Sequence, residues 1–137
     1  MGRILGVDYG DSRIGLALSD PLKMIASPFK TIRNEGNEKC LQSLKAIINE
    51  NEVEAVVVGL PIGMKGQETA QTKKVREFAD SLSVLNLPIY LEDERLSSVS
   101  AEKSMIIQKI KTGHNKGMID QRAAAILLQQ FLDKQNR

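Results

Sequence analysis

The sequence predicts an α/β fold in which a mixed β-sheet is covered by helices. Two short apolar runs, 3–9 and 13–19, flank Gly10-Asp11-Ser12 as two strands flank a tight turn. From residue 37 onward, stretches of helical periodicity alternate with the apolar runs 55–58 and 89–91. An antiparallel start followed by alternating helices and strands implies a mixed sheet with helices packed on it. The 137 residues suffice for one compact domain, 1–137, with no linker and no internal repeat.

The elements follow in order. Arg13-Ile14-Gly15-Leu16-Ala17-Leu18-Ser19 alternates loosely and pairs back on the first strand. An extended segment from Ser27 to Ile32 continues the meander. Asn37 reads as a helix N-cap, followed by apolar Leu41, Leu44, Ile47 and Ile48 at helical spacing. Ala55-Val56-Val57-Val58 is continuous and β-branched, as a strand buried on both faces is. Its glycines and proline make 59–66 a loop, and a helix follows with Val75, Phe78, Ala79 and Leu82 on one side. Pro88 opens the strand Ile89-Tyr90-Leu91, which runs into Glu92-Asp93-Glu94-Arg95. Ser97 or Ser98 caps a further helix, 111–117 is a basic loop, and a last helix starts at about Ile119. That helix carries Ile119, Ala123, Ile126, Leu127 and Phe131 on one face, with Asp120 in its first turn.

Composition removes several function classes. No apolar run approaches the roughly 20 residues that span a bilayer, and no secretory signal is visible. One cysteine, Cys40, cannot form an internal disulfide, so the expected compartment is the reducing cytoplasm and the expected role is packing. The net charge of +2 and pI of about 8.7 are too mild to announce nucleic-acid binding by themselves. Aromatic residues make up 4% with no Trp, which argues against base stacking as the main grip. A single histidine, His114, excludes a multi-histidine metal centre.

Placement of charge says more. Asp8 ends the first strand, Asp93 and Glu94 end the strand from Ile89, and Asp120 opens the last helix. Brought together, three carboxylates repel one another unless a cation sits among them. Such an oxygen-rich set suits Mg²⁺ or Mn²⁺, and paired ions of this kind drive phosphodiester hydrolysis. Each acid also has a structural alternative: Asp8 can bond the following turn, Glu94 can pair with Arg95, and Asp120 can cap its helix. Asp-x-Gly also occurs in phosphate-binding hairpins of actin-like ATPases and sugar kinases, but those proteins close two domains over ATP and this chain has room for one. The loop 59–66 is no P-loop, since no Gly-Lys-Ser/Thr follows its glycines. Lys65 on it, with Lys73, Lys74 and Arg76 beyond, can contact phosphates or simply be solvated; Lys109, Lys111, His114 and Lys116 lead into Asp120 and suit a substrate clamp.

Taken together, Gly6-Val7-Asp8-Tyr9-Gly10 with Arg13-Ile14-Gly15-Leu16-Ala17, Val58-Gly59-Leu60-Pro61, Asp93-Glu94-Arg95-Leu96-Ser97-Ser98, and Lys116-Gly117-Met118-Ile119-Asp120 with Ala123-Ala124 and Ile126-Leu127 closely resemble the YqgF family over essentially the whole chain. Ser98 stands where threonine is common in that family. The resemblance implies a ribonuclease H-like fold with a mixed five-stranded sheet flanked by helices. It also implies a metal site of Asp8, an acid of the Asp-Glu-Arg motif and Asp120; successive strand residues face opposite ways, so only one of Asp93 and Glu94 points at Asp8, and we choose Glu94. The activity implied is maturation of the 5′ end of precursor 16S rRNA; with the acidic set above this makes a Mg²⁺- or Mn²⁺-dependent nuclease, and Lys65, Arg95, Lys111, His114 and Lys116 are the expected substrate contacts. The alternatives are a Holliday-junction resolvase cutting branched DNA, and a non-catalytic ribosome-assembly or nucleic-acid-binding factor. Expected partners are structured RNA and the ribosomal particle, with no membrane, and the chain a monomer or weak homodimer.

Overall fold

The computed structural model of the chain describes residues 2–96 and 116–136. Its elements are β1 (Arg3–Tyr9), β2 (Arg13–Ser19), β3 (Ala26–Arg33), α1 (Asn37–Glu50), β4 (Val53–Leu60), α2 (Ala70–Ser81), β5 (Ile89–Asp93) and α3 (Lys116–Gln135), with 3-10 turns at Leu82–Leu85 and Glu94–Leu96. All five strands enter one sheet in the order β3-β2-β1-β4-β5. β1 pairs antiparallel with β2 and parallel with β4; β2–β3 is antiparallel and β4–β5 parallel. The sheet is therefore mixed, with β1 at its centre. The helix predicted from Ser97 or Ser98 and the basic loop at 111–115 lie outside the described residues.

Alternation along the central strands divides the core between two faces. Leu5 and Val7 of β1, Ile14 and Leu16 of β2, and Val56, Val58 and Leu60 of β4 pack under α1 and α2, against Cys40, Leu44, Val75 and Phe78. The opposite face carries Ile4, Ala17, Ala55 and Val57 against Ala124, Leu128, Phe131 and Leu132 of α3. Each fully buried large side chain contributes about 1.5–3 kcal/mol over its exposed state. The α3 face is built of small residues, so the helix lies close to the sheet: a Cβ added to Gly6 would stand 2.9 Å from Leu128 Cβ and 3.1 Å from the Ala124 carbonyl.

Four boundaries differ from expectation. Asn37 is the first helical residue rather than the cap; Gly36, at φ 103°, occupies the cap position, a conformation that favours glycine. β4 continues through Gly59 and Leu60, which pair with Glu92 and Asp93, so the loop starts two residues late. Leu82 is buried but belongs to the 3-10 turn after α2. α3 begins at Lys116, not near Ile119, which puts Lys116 on the helix rather than in the basic loop. Among the described residues no helix is long and apolar enough to cross a membrane.

Candidate functional site

The site is set by one row of residues across the sheet. Asp8 pairs with Gly15 of β2. One step beyond the pair Val7 and Val58, it stands beside Gly59 of β4. Residues in register share a face, and Asp8 shares its face with Gly6, two residues back. That is the α3 face. Asp8 is only 5% exposed there, a charged side chain at the C-terminal end of the central strand.

Both glycines leave space that an acid occupies. A Cβ on Gly15 would stand 2.6 Å from Asp120 Cβ and closer still to the Asp120 carbonyl. A Cβ on Gly59 would stand 2.7 Å from Glu94 Oε1 and 2.6 Å from Leu127 Cδ2. Asp120 thus sits over the residue on one side of Asp8, and the Glu94 carboxylate over the residue on the other.

Asp93 faces away from this row. It pairs with Leu60, whose side chain joins the core under α1 and α2. Its carboxylate holds Arg95, with Oδ2 2.9 Å from Nη2 and Oδ1 accepting the Arg95 backbone N–H at 2.8 Å. The Arg95 guanidinium beside it keeps the Asp93 carboxyl below the usual range, with burial opposing and the backbone N–H adding to the effect. Arg95 therefore bonds Asp93 and not Glu94 as the sequence allowed, and its guanidinium is committed within its own turn. Glu92 does share the face of Asp8 and is buried, but Lys134 meets it at 2.7 Å and Gln130 also bonds it, so it belongs to the seam between β5 and α3.

Asp120 differs from its expected setting. With α3 starting at Lys116 there is no acid in the first turn, so capping and the helix dipole do not account for it. Its carboxylate instead accepts from Arg13 Nε at 2.9 Å, across 107 residues of sequence. Arg13 opens β2 two residues before Gly15 and shares its face. It borders the candidate row, and its place there is not singled out by the sequence. The available signal was its parity with Gly15, which becomes informative once Gly15 is known to lie under the helix.

Among the described residues no three His, Cys, Asp or Glu side chains converge closely enough to hold a metal ion between them. Asp8, Glu94 and Asp120 share one end of one face without forming a closed ligand set, and the Asp120 carboxylate is held by Arg13. Lys65 is exposed on the loop after β4, with its backbone N–H bonded to Gln67 Oε1. Lys74 reaches Asp11 at 3.4 Å and Arg76 reaches Glu68 at 2.9 Å, so both meet acids within the chain. Lys111 and His114 lie outside the described residues, as does the Lys116 side chain. Cys40 is buried among apolar neighbours, which pushes its thiol pKa up and leaves it a packing residue.

The donor set suits a hard divalent cation. It consists of the carboxylates of Asp8, Glu94 and Asp120, with the Glu94 carboxylate seated where Gly59 leaves room and the Asp120 backbone and Cβ where Gly15 does.

Comparison with known proteins agrees with this architecture. The sequence profile of the family described as "RuvX: Holliday junction resolvase" matches residues 2–134. A protein of Roseiflexus sp. (strain RS-1), provisionally named a pre-16S rRNA nuclease, is 44% identical over 135 residues, 98% of this chain and 96% of its own length. A protein of Crocosphaera subtropica with the same provisional name is 45% identical over 131 residues, 95% and 92% of the two chains. Among solved structures, T. thermophilus RuvC bound to a Holliday-junction substrate superposes with TM-score 0.60 at 16% identity, covering 99% of this chain and 96% of that one. The fowlpox virus resolvase bound to junction DNA gives 0.60 at 13%, covering 98% and 99%. At such identities the structural likeness speaks for the fold, which is ribonuclease H-like.

Proposed function

We propose, for a chain that belongs to the RuvX family, that it is a divalent-metal-dependent endonuclease acting on structured RNA, with precursor 16S rRNA as its substrate. Nuclease is the activity named for its relatives over nearly their full length. The observation that carries the catalytic reading is the row Gly15–Asp8–Gly59, with Asp120 over one glycine and Glu94 over the other. Asp8, Glu94 and Asp120 would hold the cation, Mg²⁺ or Mn²⁺. When bound, such an ion supplies Lewis-acid polarisation of a phosphoryl oxygen and a water more easily deprotonated than in bulk.

The chain's own groups do the rest. The buried Asp8 fixes one ligand on the stiffest part of the sheet. Glu94 and Asp120 approach from a turn and a helix and would supply the other two carboxylates. Arg13 neutralises the Asp120 carboxylate, a role that a bound cation would share. The RNA specificity draws on the names given to the relatives. On this reading the protein works in the cytoplasm as a monomer or weak homodimer, on the transcript or the ribosomal particle, with Lys65, Lys111, His114 and Lys116 on the phosphates. Arg95, the fifth expected substrate contact, is held by Asp93 and so contributes least.

The test is cleavage of precursor 16S rRNA with Mg²⁺ or Mn²⁺, beside a synthetic four-way DNA junction. The reading predicts cutting of the RNA and a loss of more than about 100-fold on Asp8→Asn, with the fold retained. Unchanged cleavage by Asp8→Asn removes Asp8 from catalysis. The family's own description favours a second reading, junction resolution. Paired cuts need two active sites, so that reading requires a dimer and preferred cutting of the junction. Metal-independent binding of RNA with no cutting of either substrate would leave a binding factor.

A further inference from the structure

The antiparallel pair β2–β3 places Arg13 directly opposite Arg33. Cross-strand partners stand about 5 Å apart at Cβ, and like charges there destabilise a sheet. Both side chains lie on the α3 face, since Gly15 and Thr31, two residues further along each strand, are also partners and Gly15 lies under α3. Thr31 accepts from Gln121 of α3 at 3.0 Å, which fixes the same side for β3. The arginine pair therefore borders the acidic row at the end of the sheet where Asp8 and Glu94 stand.

The nearby acids are taken by other cations. Asp120 holds Arg13, Asp11 meets Lys74 at 3.4 Å and Glu35 meets Lys39 at 3.3 Å. Arg33 is exposed, and among the described residues its guanidinium meets no acceptor. Its backbone is held firmly: the next residue, Asn34, donates its N–H to the Ser12 carbonyl at 2.9 Å and its side-chain amide to the Gly10 carbonyl at 2.8 Å. A repulsive pair held on a rigid base, with one member open to solvent, is a site for an anion.

We infer that Arg13 and Arg33 form a phosphate seat on the β3 side of the carboxylate row, gripping the backbone of the substrate strand beside the position that is cut. Arg33 makes the permanent contact, and Arg13, which Asp120 holds, would reinforce it where a bound cation took over the Asp120 carboxylate. The placement relative to a cut rests on the nuclease reading; the binding of a nucleic-acid phosphate does not.

The experiment uses the full chain carrying Asp8→Asn, so that a hairpin RNA is bound without being cut, and follows anisotropy over a salt series. Adding Arg33→Gln is expected to weaken binding about 3- to 10-fold and to lower the slope of log K against log salt by about one. Arg33→Lys, which keeps the charge, is expected to restore the slope, and Lys45→Gln on the far face to leave it unchanged. Affinity and slope equal to the parent's in Arg33→Gln would overturn the seat. In the cleaving background Arg33→Gln is expected to raise KM with kcat little changed; a loss in kcat alone would overturn the positional claim. If the unmutated chain cuts nothing while the Arg33 salt effect persists, the nuclease reading fails and the seat stands.

Discussion

Replacing Gly15 by alanine tests the close approach on which the site depends. In an open strand this change stabilises, because glycine costs roughly 0.5–1 kcal/mol relative to alanine. Here the new methyl would stand 2.6 Å from Asp120 Cβ and closer to the Asp120 carbonyl. Ordinary contact is about 3.5–4.0 Å, so the helix must retreat by about 1 Å or more, and backbone cannot yield as a side-chain tip can. Overpacking of this kind costs about 1–3 kcal/mol, reversing the sign expected from propensity. For a chain of this length the melting temperature should fall by about 4 °C per kcal/mol. A displacement of about 1 Å at a catalytic group costs about 100-fold in rate. Thermal unfolding and RNA cleavage well below the transition should be compared with Leu128→Ala. That variant loses about 2–5 kcal/mol from the same helix–sheet interface without placing an atom against Asp120. Gly15→Ala should lose far more activity than its stability loss explains, and Leu128→Ala should lose stability with most activity kept. A Gly15→Ala protein as stable and as active as the parent would refute the described packing of Asp120 over Gly15.

Two further predictions separate neighbouring residues. Glu94→Gln should reduce cleavage by more than about 100-fold, whereas Asp93→Asn, which acts through Arg95, should reduce it by less than about tenfold; a reversed order would move the ligand to Asp93. Asp20 Oδ1 accepts the backbone N–H groups of Met24 and Ile25 at 2.8 and 2.9 Å, and those of Ile25 first and Met24 second hold its carboxyl below the usual range. A carboxylate lowered on folding stabilises above its unfolded value near about 3.9 and loses that contribution as pH falls through the folded one. Asp20→Ala should therefore lower the melting temperature at pH 7, and the difference should shrink as pH falls below about 4; a difference that grew in acid would reverse the sign.

Local features carried much of this into the sequence. Asp8 stands out in the sequence because a carboxylate closing an apolar, glycine-flanked strand has few structural uses, and the five strands follow from period and turn chemistry. Asp93 and Glu94 were harder, since alternation says only that they differ in facing; the pairing of Leu60 with Asp93 and the bond to Arg95 place each one. Gly59 reads as a loop residue by type, yet it lies in β4, paired with Glu92, and is a glycine because Glu94 and Leu127 occupy the space of its missing Cβ. The Arg13–Arg33 pair depends on the β2–β3 register, which shifts between Leu16 and Ala17, and no local pattern encodes that irregularity. The Arg13–Asp120 bond joins the first hairpin to the last helix and exists only once α3 has docked.

The most direct test of the carboxylate row is calorimetric titration of the purified chain with Mn²⁺, repeated on Asp8→Asn, Glu94→Gln and Asp120→Asn, with circular dichroism showing each variant folded. The account predicts saturable binding to the parent, abolished by Asp8→Asn and weakened by at least about tenfold in each of the other two. Binding to Asp8→Asn with the parent's affinity would contradict it.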